Sequence, residues 1–210
     1  MLSRIDEIIY PNRCEVIEFM DPQRFVYPIF KNGSGSLIIH AHQQNYRMLI
    51  NEQIKQILTI DVVLRDPISR FISGINTFVY NTKKENPNLD VDTIIYFAEN
   101  FLFLNRHYAP QLSWLLNLNK YLNKKARLRF HNMTALAEFT PLTLIPTQDN
   151  FLTPQVIKRL KTNIYNEMYM RLDSLLLQLV GQEITFTDIM AYLHEQDSTA
   201  YLKIKCTALD

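Results

Sequence analysis

Apolar residues in this chain fall into two patterns: short continuous runs, and longer stretches with a helical period. The short runs predict strands. "RFVYPIF", from Arg24 to Phe30, is β-branched and aromatic, as a buried strand requires. "YRMLI" (Tyr46 to Ile50) and "RLRFHNM" (from Arg127) read the same way. "QILTIDVVLRDP" ends in a near-continuous apolar run, the mark of a strand covered on both faces, and Pro67 stops it. The periodic stretches predict helices. "SLIIHAHQQ" can carry one, with Ser34 or Ser36 available to cap it, and "ISRFISGINTFVY" places Ile68, Phe71, Ile72 and Ile75 on one face. "TKKENPNLD" is a polar loop whose Asp90, or Asp92 just beyond it, can cap "TIIYFAENFLFL". The clearest helix begins with Thr153 as cap and Pro154 in its first turn and runs towards Val180. A short helix, "TDIMAYLHE", and a strand-like "AYLKIK" follow. Strands alternating with helices predict an α/β fold: a mainly parallel sheet flanked by helices, in a single domain. Its ligands would sit beyond the carboxyl ends of the strands.

Composition narrows this picture. A chain of 210 residues with 47% hydrophobic and 20% charged residues can bury one full core. Residues 1–180 read as the α/β domain, and 181–210 as a C-terminal extension packed on it. The net charge of +1 gives no global reason to expect nucleic acid or a membrane surface as partner, so any anion site must be local. No apolar run approaches the ~20 residues of a membrane span, the first residues do not resemble a secretory signal, and the two cysteines form no metal-ligand or disulfide pattern. A soluble, cytoplasmic protein is the expectation.

Only four glycines occur, and two of them, Gly33 and Gly35, lie in "FKNGSGS" between the first strand and the first helix. A backbone that must turn sharply or approach an anion explains glycine there. With Lys31, Asn32, Ser34 and Ser36, the stretch can cradle a phosphate-like group, although a plain strand-to-helix turn would use the same residues. The lysine precedes the glycines, unlike the order of an ATP-binding P-loop. The second motif, "LRDPISRFISG", puts Arg65 at the end of the buried strand, with Arg70 and Ser73 on the helix that follows. Alone, it reads more simply as an Asp66 cap with two solvated arginines.

Together the two motifs resemble the cofactor loops of the sulfotransferase family, which uses 3′-phosphoadenosine-5′-phosphosulfate. A Lys-x-Gly-Ser/Thr-x-Ser/Thr loop matches Lys31, Gly33, Ser34 and Ser36, and Arg-Asp-Pro-x-x-Arg-x-x-Ser is present in full from Arg65 to Ser73. "NRHYAPQLSWL" is similar to a His-Trp/Tyr-x-Pro-Gln segment of the carbohydrate sulfotransferase branch. Phe30 stands where the family often has proline. The resemblance implies a P-loop-like sulfotransferase fold without a metal, and a sulfuryl group passed to a hydroxyl or amine of a carbohydrate or small molecule. Lys31 and the loop from Asn32 to Ser36 would hold the 5′-phosphosulfate, and Arg65 and Ser73 the 3′-phosphate. His107, Tyr108 and Gln111 would meet the acceptor, with Trp114 a possible stacking surface. In related enzymes the general base is a Glu or His near the end of the strand that follows the first helix; Glu52, just after "YRMLI", holds that position and is the first candidate, with His42 and His40 next. Two other readings stand beside this one: an ATP-dependent kinase, and a non-catalytic member that keeps the nucleotide-binding loops.

Overall fold

The computed structural model describes residues 14–20, 22–100, 105–142, 151–162 and 164–202, without the side chains of 97–100 and 164–166. Its strands are β1 (Glu15–Met20), β2 (Gln23–Tyr27), β3 (Arg47–Ile50), β4 (Thr59–Val63), β5 (Arg127–His131) and β6 (Glu183–Thr185). Its helices are α1 (Ser34–Gln43), α2 (Pro67–Glu85), α3 (Val91–Asn100), α4 (Gln111–Asn119), α5 (Pro154–Thr162), α6 (Ile164–Leu177) and α7 (Phe186–Gln196). Two short 3-10 helices, Asn51–Gln56 and Met133–Glu138, follow β3 and β5.

The chain is an α/β fold with one six-stranded sheet in the order β3-β1-β2-β4-β5-β6. The sheet is mixed, which corrects the expectation of a mainly parallel one. Among the described strands the pairs β2–β4 and β4–β5 are parallel, while β1 pairs antiparallel with both β2 and β3, and β6 pairs antiparallel with β5. Connection length explains the β1–β2 pair: β2 starts three residues after β1 ends, which leaves room for a hairpin and none for a crossover. "EVIEFM" escaped notice as a strand because Glu18 interrupts its apolar alternation. Glu18 is nonetheless buried, accepting from Gln23 Nε2 at 2.9 Å and pairing with Arg47 at 3.2 Å. Ala200 to Leu202, expected as part of a last strand, belong to a helical turn over residues 198–202. The rest of "AYLKIK" lies outside the described residues.

Alternation along the parallel strands sorts their side chains onto two faces. Ile60 and Val62 of β4, with Leu128 and Phe130 of β5, pack against Trp114 and Leu115 of α4 and Leu172 and Leu176 of α6. Ile189, Leu193 and Ala200, all beyond residue 180, belong to this same core. The opposite face packs Ile17, Val26 and Val63 against Leu37 of α1, Leu136 and Phe139. A third cluster joins α2, α3 and α5 through Phe71, Ile75, Ile94, Ile95 and Leu160.

Asp61 also points to the α1 face, from the middle of β4, and is buried. A lone carboxylate there would cost several kcal/mol. Arg24 of β2 offsets this with a two-pronged contact, 3.1 Å at each prong, and His131 Nε2 of β5 lies 2.6 Å away. Burial pushes the Asp61 carboxyl up, but His131 and Arg24 outweigh it and hold it below its ordinary value. The network ties together the three parallel strands, and Arg129 extends it to Glu183 of β6 at 2.8 Å.

Removing the carboxylate costs the half-buried Arg24 guanidinium its two-pronged partner, leaving it the exposed Glu138 at 3.3 Å, and leaves His131 without its acid partner. Asp61→Ala should therefore lower unfolding free energy by about 3 kcal/mol in urea titrations at neutral pH. Because the folded-state pKa is depressed, the contribution is present above the ordinary carboxylate value. The gap between wild type and variant should shrink as pH falls below that value.

Candidate functional site

β2 and β4 are neighbours in the parallel part of the sheet, so the loops leaving their carboxyl ends are neighbours too. The first loop carries Lys31 and leads into α1; the second carries Arg65 and leads into α2. Gly33 precedes α1 with φ of 79°, in the left-handed region, and a Cβ there would meet the Leu136 side chain. That glycine, with no side-chain cap, starts the helix, so Ser34 and Ser36 lie inside the first turn instead of capping it, and both are buried. The first N–H groups of a helix lack intrahelical acceptors and carry its positive dipole end. Asp66 caps α2 by accepting from Ser69 N at 2.8 Å, and Pro67 occupies the first helical position.

The two loops clasp each other. Arg65 Nη1 donates to Lys31 O at 3.0 Å, and Lys31 Nζ donates to Thr77 Oγ1 of α2 at 2.8 Å. Lys31 holds φ of 68°, a left-handed conformation rare for a long side chain. Ser73, buried on α2, accepts through its carbonyl from Thr77 Oγ1 at 3.0 Å. Lys31, Asn32, Gly33, Ser34, Gly35, Ser36, Arg65 and Ser73 are thus gathered where the loop after β2 meets the start of α2.

Behind them lies a buried polar frame. Gln111 heads α4 and is fully buried: its Oε1 accepts from Arg65 N at 2.9 Å and from Asn32 Nδ2 at 2.6 Å, and its Nε2 donates to Arg65 O at 3.0 Å. Asn32 Nδ2 also reaches Val63 O at 2.8 Å. Asp173 of α6 accepts from Gln111 N at 2.8 Å and Leu112 N at 3.0 Å. Arg70, likewise buried, donates to Phe30 O at 3.1 Å and to Ala109 O. Burial pushes the Asp173 carboxyl up, against the Arg70 charge and these N–H donors.

The electrostatics are lopsided. Burial lowers the Lys31 ammonium, and the Arg65 and Arg70 charges lower it further. Arg70 is lowered to about 10 by burial and by Arg65, with Asp173 opposing. His107 is lowered to about 4 by burial, then Lys31, Arg106 and Arg70, so it is neutral at pH 7. Its ring lies 5.5 Å from that of Phe30, which directly precedes Lys31, and the Arg106 guanidinium stacks 4.8 Å above Phe30. Cations that depress one another mark a corner where added negative charge is stabilised.

Several expected site residues lie elsewhere. Glu52 sits beyond β3, at the sheet edge away from β4, exposed and paired with Lys55 at 2.5 Å. His42 is exposed near the far end of α1, roughly 12 Å along the axis from its first turn. His40 packs on Phe19 and Tyr46. Gln111 and the Asn32 amide nitrogen are committed to backbone and to each other, and both side chains are buried, so they position the loops and do not face a ligand. Tyr108 is buried edge-on against Phe71 and Phe78, and Trp114 is buried beside Phe30, leaving neither ring free to stack on a sugar. Thr77, Asp173 and Arg106 were not anticipated. Thr77 could have been found, since it stands one helical turn after Ser73 and two after Arg70.

Comparison with family models, with curated proteins and with solved structures finds no match for this chain.

Gly74 lets the His107 loop lie flat on α2: a Cβ there would fall 2.3 Å from His107 O. Alanine in mid-helix ordinarily gains about 1 kcal/mol over glycine. Here a backbone oxygen blocks it, and overpacking of this kind costs about 1–3 kcal/mol. Gly74→Ala should therefore lower the urea midpoint, where helix propensity alone would raise it.

Proposed function

We propose that the protein is a sulfotransferase. On this reading it moves a sulfuryl group from 3′-phosphoadenosine-5′-phosphosulfate to a hydroxyl or amine of a carbohydrate or other small molecule. One observation carries it: Lys31 and Arg65 meet across adjacent parallel strand ends, at the starts of two helices, in a corner with more positive than negative charge. Had the two cations stood on opposite sides of the molecule, one nucleotide could not engage both.

Sulfuryl transfer is an in-line displacement in which positioning and charge stabilisation do most of the work. Lys31 Nζ would neutralise the charge that grows on the oxygen bridging phosphorus and sulfur. The N–H groups that open α1, with the hydroxyls of Ser34 and Ser36, would hold the 5′-phosphate. Arg65, next along the sheet, would fork onto the 3′-phosphate with Ser73 as a further donor. Asn32, Gln111, Arg70 and Asp173 would act one layer back, fixing the two loops at the separation that the nucleotide requires.

The test separates binding from turnover. Charge-assisted hydrogen bonds contribute about 1.5–3 kcal/mol. Arg65→Ala should therefore weaken adenosine 3′,5′-bisphosphate by roughly tenfold to a hundredfold in isothermal titration. Lys31→Ala should abolish transfer from labelled donor to a glycan panel. A wild-type protein stabilised by ATP and magnesium but not by the bisphosphate would support the kinase reading instead.

A further inference from the structure

The two loops of the corner are gripped from two sides. The Gln111 and Asp173 frame holds them from the α4 side of the sheet. On the α1 side lies the segment that follows β5, residues 132–140. We propose that Leu136, in the middle of this segment, is a positioning residue for the loop after β2: it holds Gly33 in the conformation that turns the first N–H groups of α1 towards the 5′-phosphate. The inference rests on the sulfotransferase reading above and adds to it a part of the chain that neither loop motif includes.

Leu136 is buried and lies directly on the Gly33 α-carbon. A Cβ at Gly33 would run into both methyl groups of Leu136, 3.0 Å from one and closer still to the other. The same side chain belongs to a buried cluster with Leu37 of α1 and Val63 of β4. Leu37 N donates to Gly33 O at 3.1 Å, and Val63 O accepts from Asn32 Nδ2 at 2.8 Å, so this cluster reaches the backbone of both loops. Glycine visits left- and right-handed backbone about equally. With Gly33 and Gly35 both in the turn, other conformations must be excluded if the N–H groups are to converge on one anion. A branched side chain packed on the α-carbon removes the space those conformations would sweep.

Leu136 is itself firmly held. Asn132 Oδ1 accepts from Thr134 N at 3.0 Å and from Ala135 N at 3.3 Å, opening the 3-10 helix that carries Leu136. Phe139 N and Thr140 N both donate to Leu136 O, at 3.0 and 3.2 Å. Arg24 fastens the far end, with its guanidinium 4.1 Å above the Phe139 ring and its Nη1 donating to Glu138 Oε2 at 3.3 Å. The other donors of the same guanidinium hold Asp61. The segment is thus tied to the middle of the sheet, and Leu136 passes that rigidity on to the loop.

The experiment pairs Leu136→Ala with Ile17→Ala. Ile17 belongs to the same cluster but stands on β1, which carries neither loop, so it controls for lost core packing. Leu136→Val and Ile17→Val form a milder pair should either alanine variant fail to fold. Fixing the backbone of one residue costs about 1–2 kcal/mol, which corresponds to roughly fivefold to thirtyfold in affinity. In isothermal titration, Leu136→Ala should weaken adenosine 3′,5′-bisphosphate by that factor, and Ile17→Ala should stay near wild type at a temperature where both are folded. The loss should recur with adenosine 5′-phosphosulfate and be absent with adenosine 3′-monophosphate, whose phosphate would meet Arg65 and Ser73. Hydrogen exchange at the Leu37 amide should quicken in Leu136→Ala and not in Ile17→Ala. Equal losses in the two variants, or a Leu136→Ala with wild-type affinity and wild-type Leu37 exchange, would overturn the positioning role alone. A wild type that binds neither the bisphosphate nor the phosphosulfate would overturn the sulfotransferase reading, and Leu37 exchange would then still decide whether Leu136 holds the loop.

Discussion

One of the buried carboxylates, that of Asp173, organises the site from behind. It fastens the start of α4 through two backbone N–H groups, and its charge opposes the burial that lowers the guanidinium of Arg70. From those anchors the frame reaches the loops: Arg70 holds Phe30 O, and the Gln111 side chain holds both backbone polar groups of Arg65 and the amide of Asn32. Burying a charged group is expensive unless hydrogen bonds satisfy it, as the two N–H donors do for Asp173 and the carbonyls of Phe30 and Ala109 do for Arg70. The value of these bonds is geometric, since they leave the two cation-bearing loops one fixed relation to each other.

Much of the scaffold was legible because burial leaves a periodic trace. β2, β3, β4 and β5 coincide with the short apolar runs, and α2 with its amphipathic stretch. Direction was not legible: an apolar run reports that both faces are covered, and says nothing of which way its neighbour points. β1 was hidden by Glu18, whose partners Gln23 and Arg47 are supplied by adjacent strands. β6, three residues long, is too short to show any period.

At the site, spacing located the two loops, because glycine, proline and the lysine and arginine positions are local features. Which side chains face a ligand was not local. Gln111 and Asn32 look like ligand-facing polar residues in the sequence, yet each faces inward once α4 is docked by α6, sixty residues later in the chain. Asp173 lies in "MRLDSLLLQLV", where one acid among leucines was the available hint of a buried partner. Glu52 illustrates the opposite error, since proximity along the chain to a strand end placed it on a strand at the wrong edge.

The left-handed backbone at Lys31 carries a trade-off. For a residue with a Cβ, that conformation costs on the order of 1–3 kcal/mol, whereas glycine would occupy it with little penalty. A glycine there would give a calmer molecule with no ammonium at the corner. Stability and chemistry therefore pull against each other on one α-carbon, and variants selected only for thermal robustness should drift towards silence at this position.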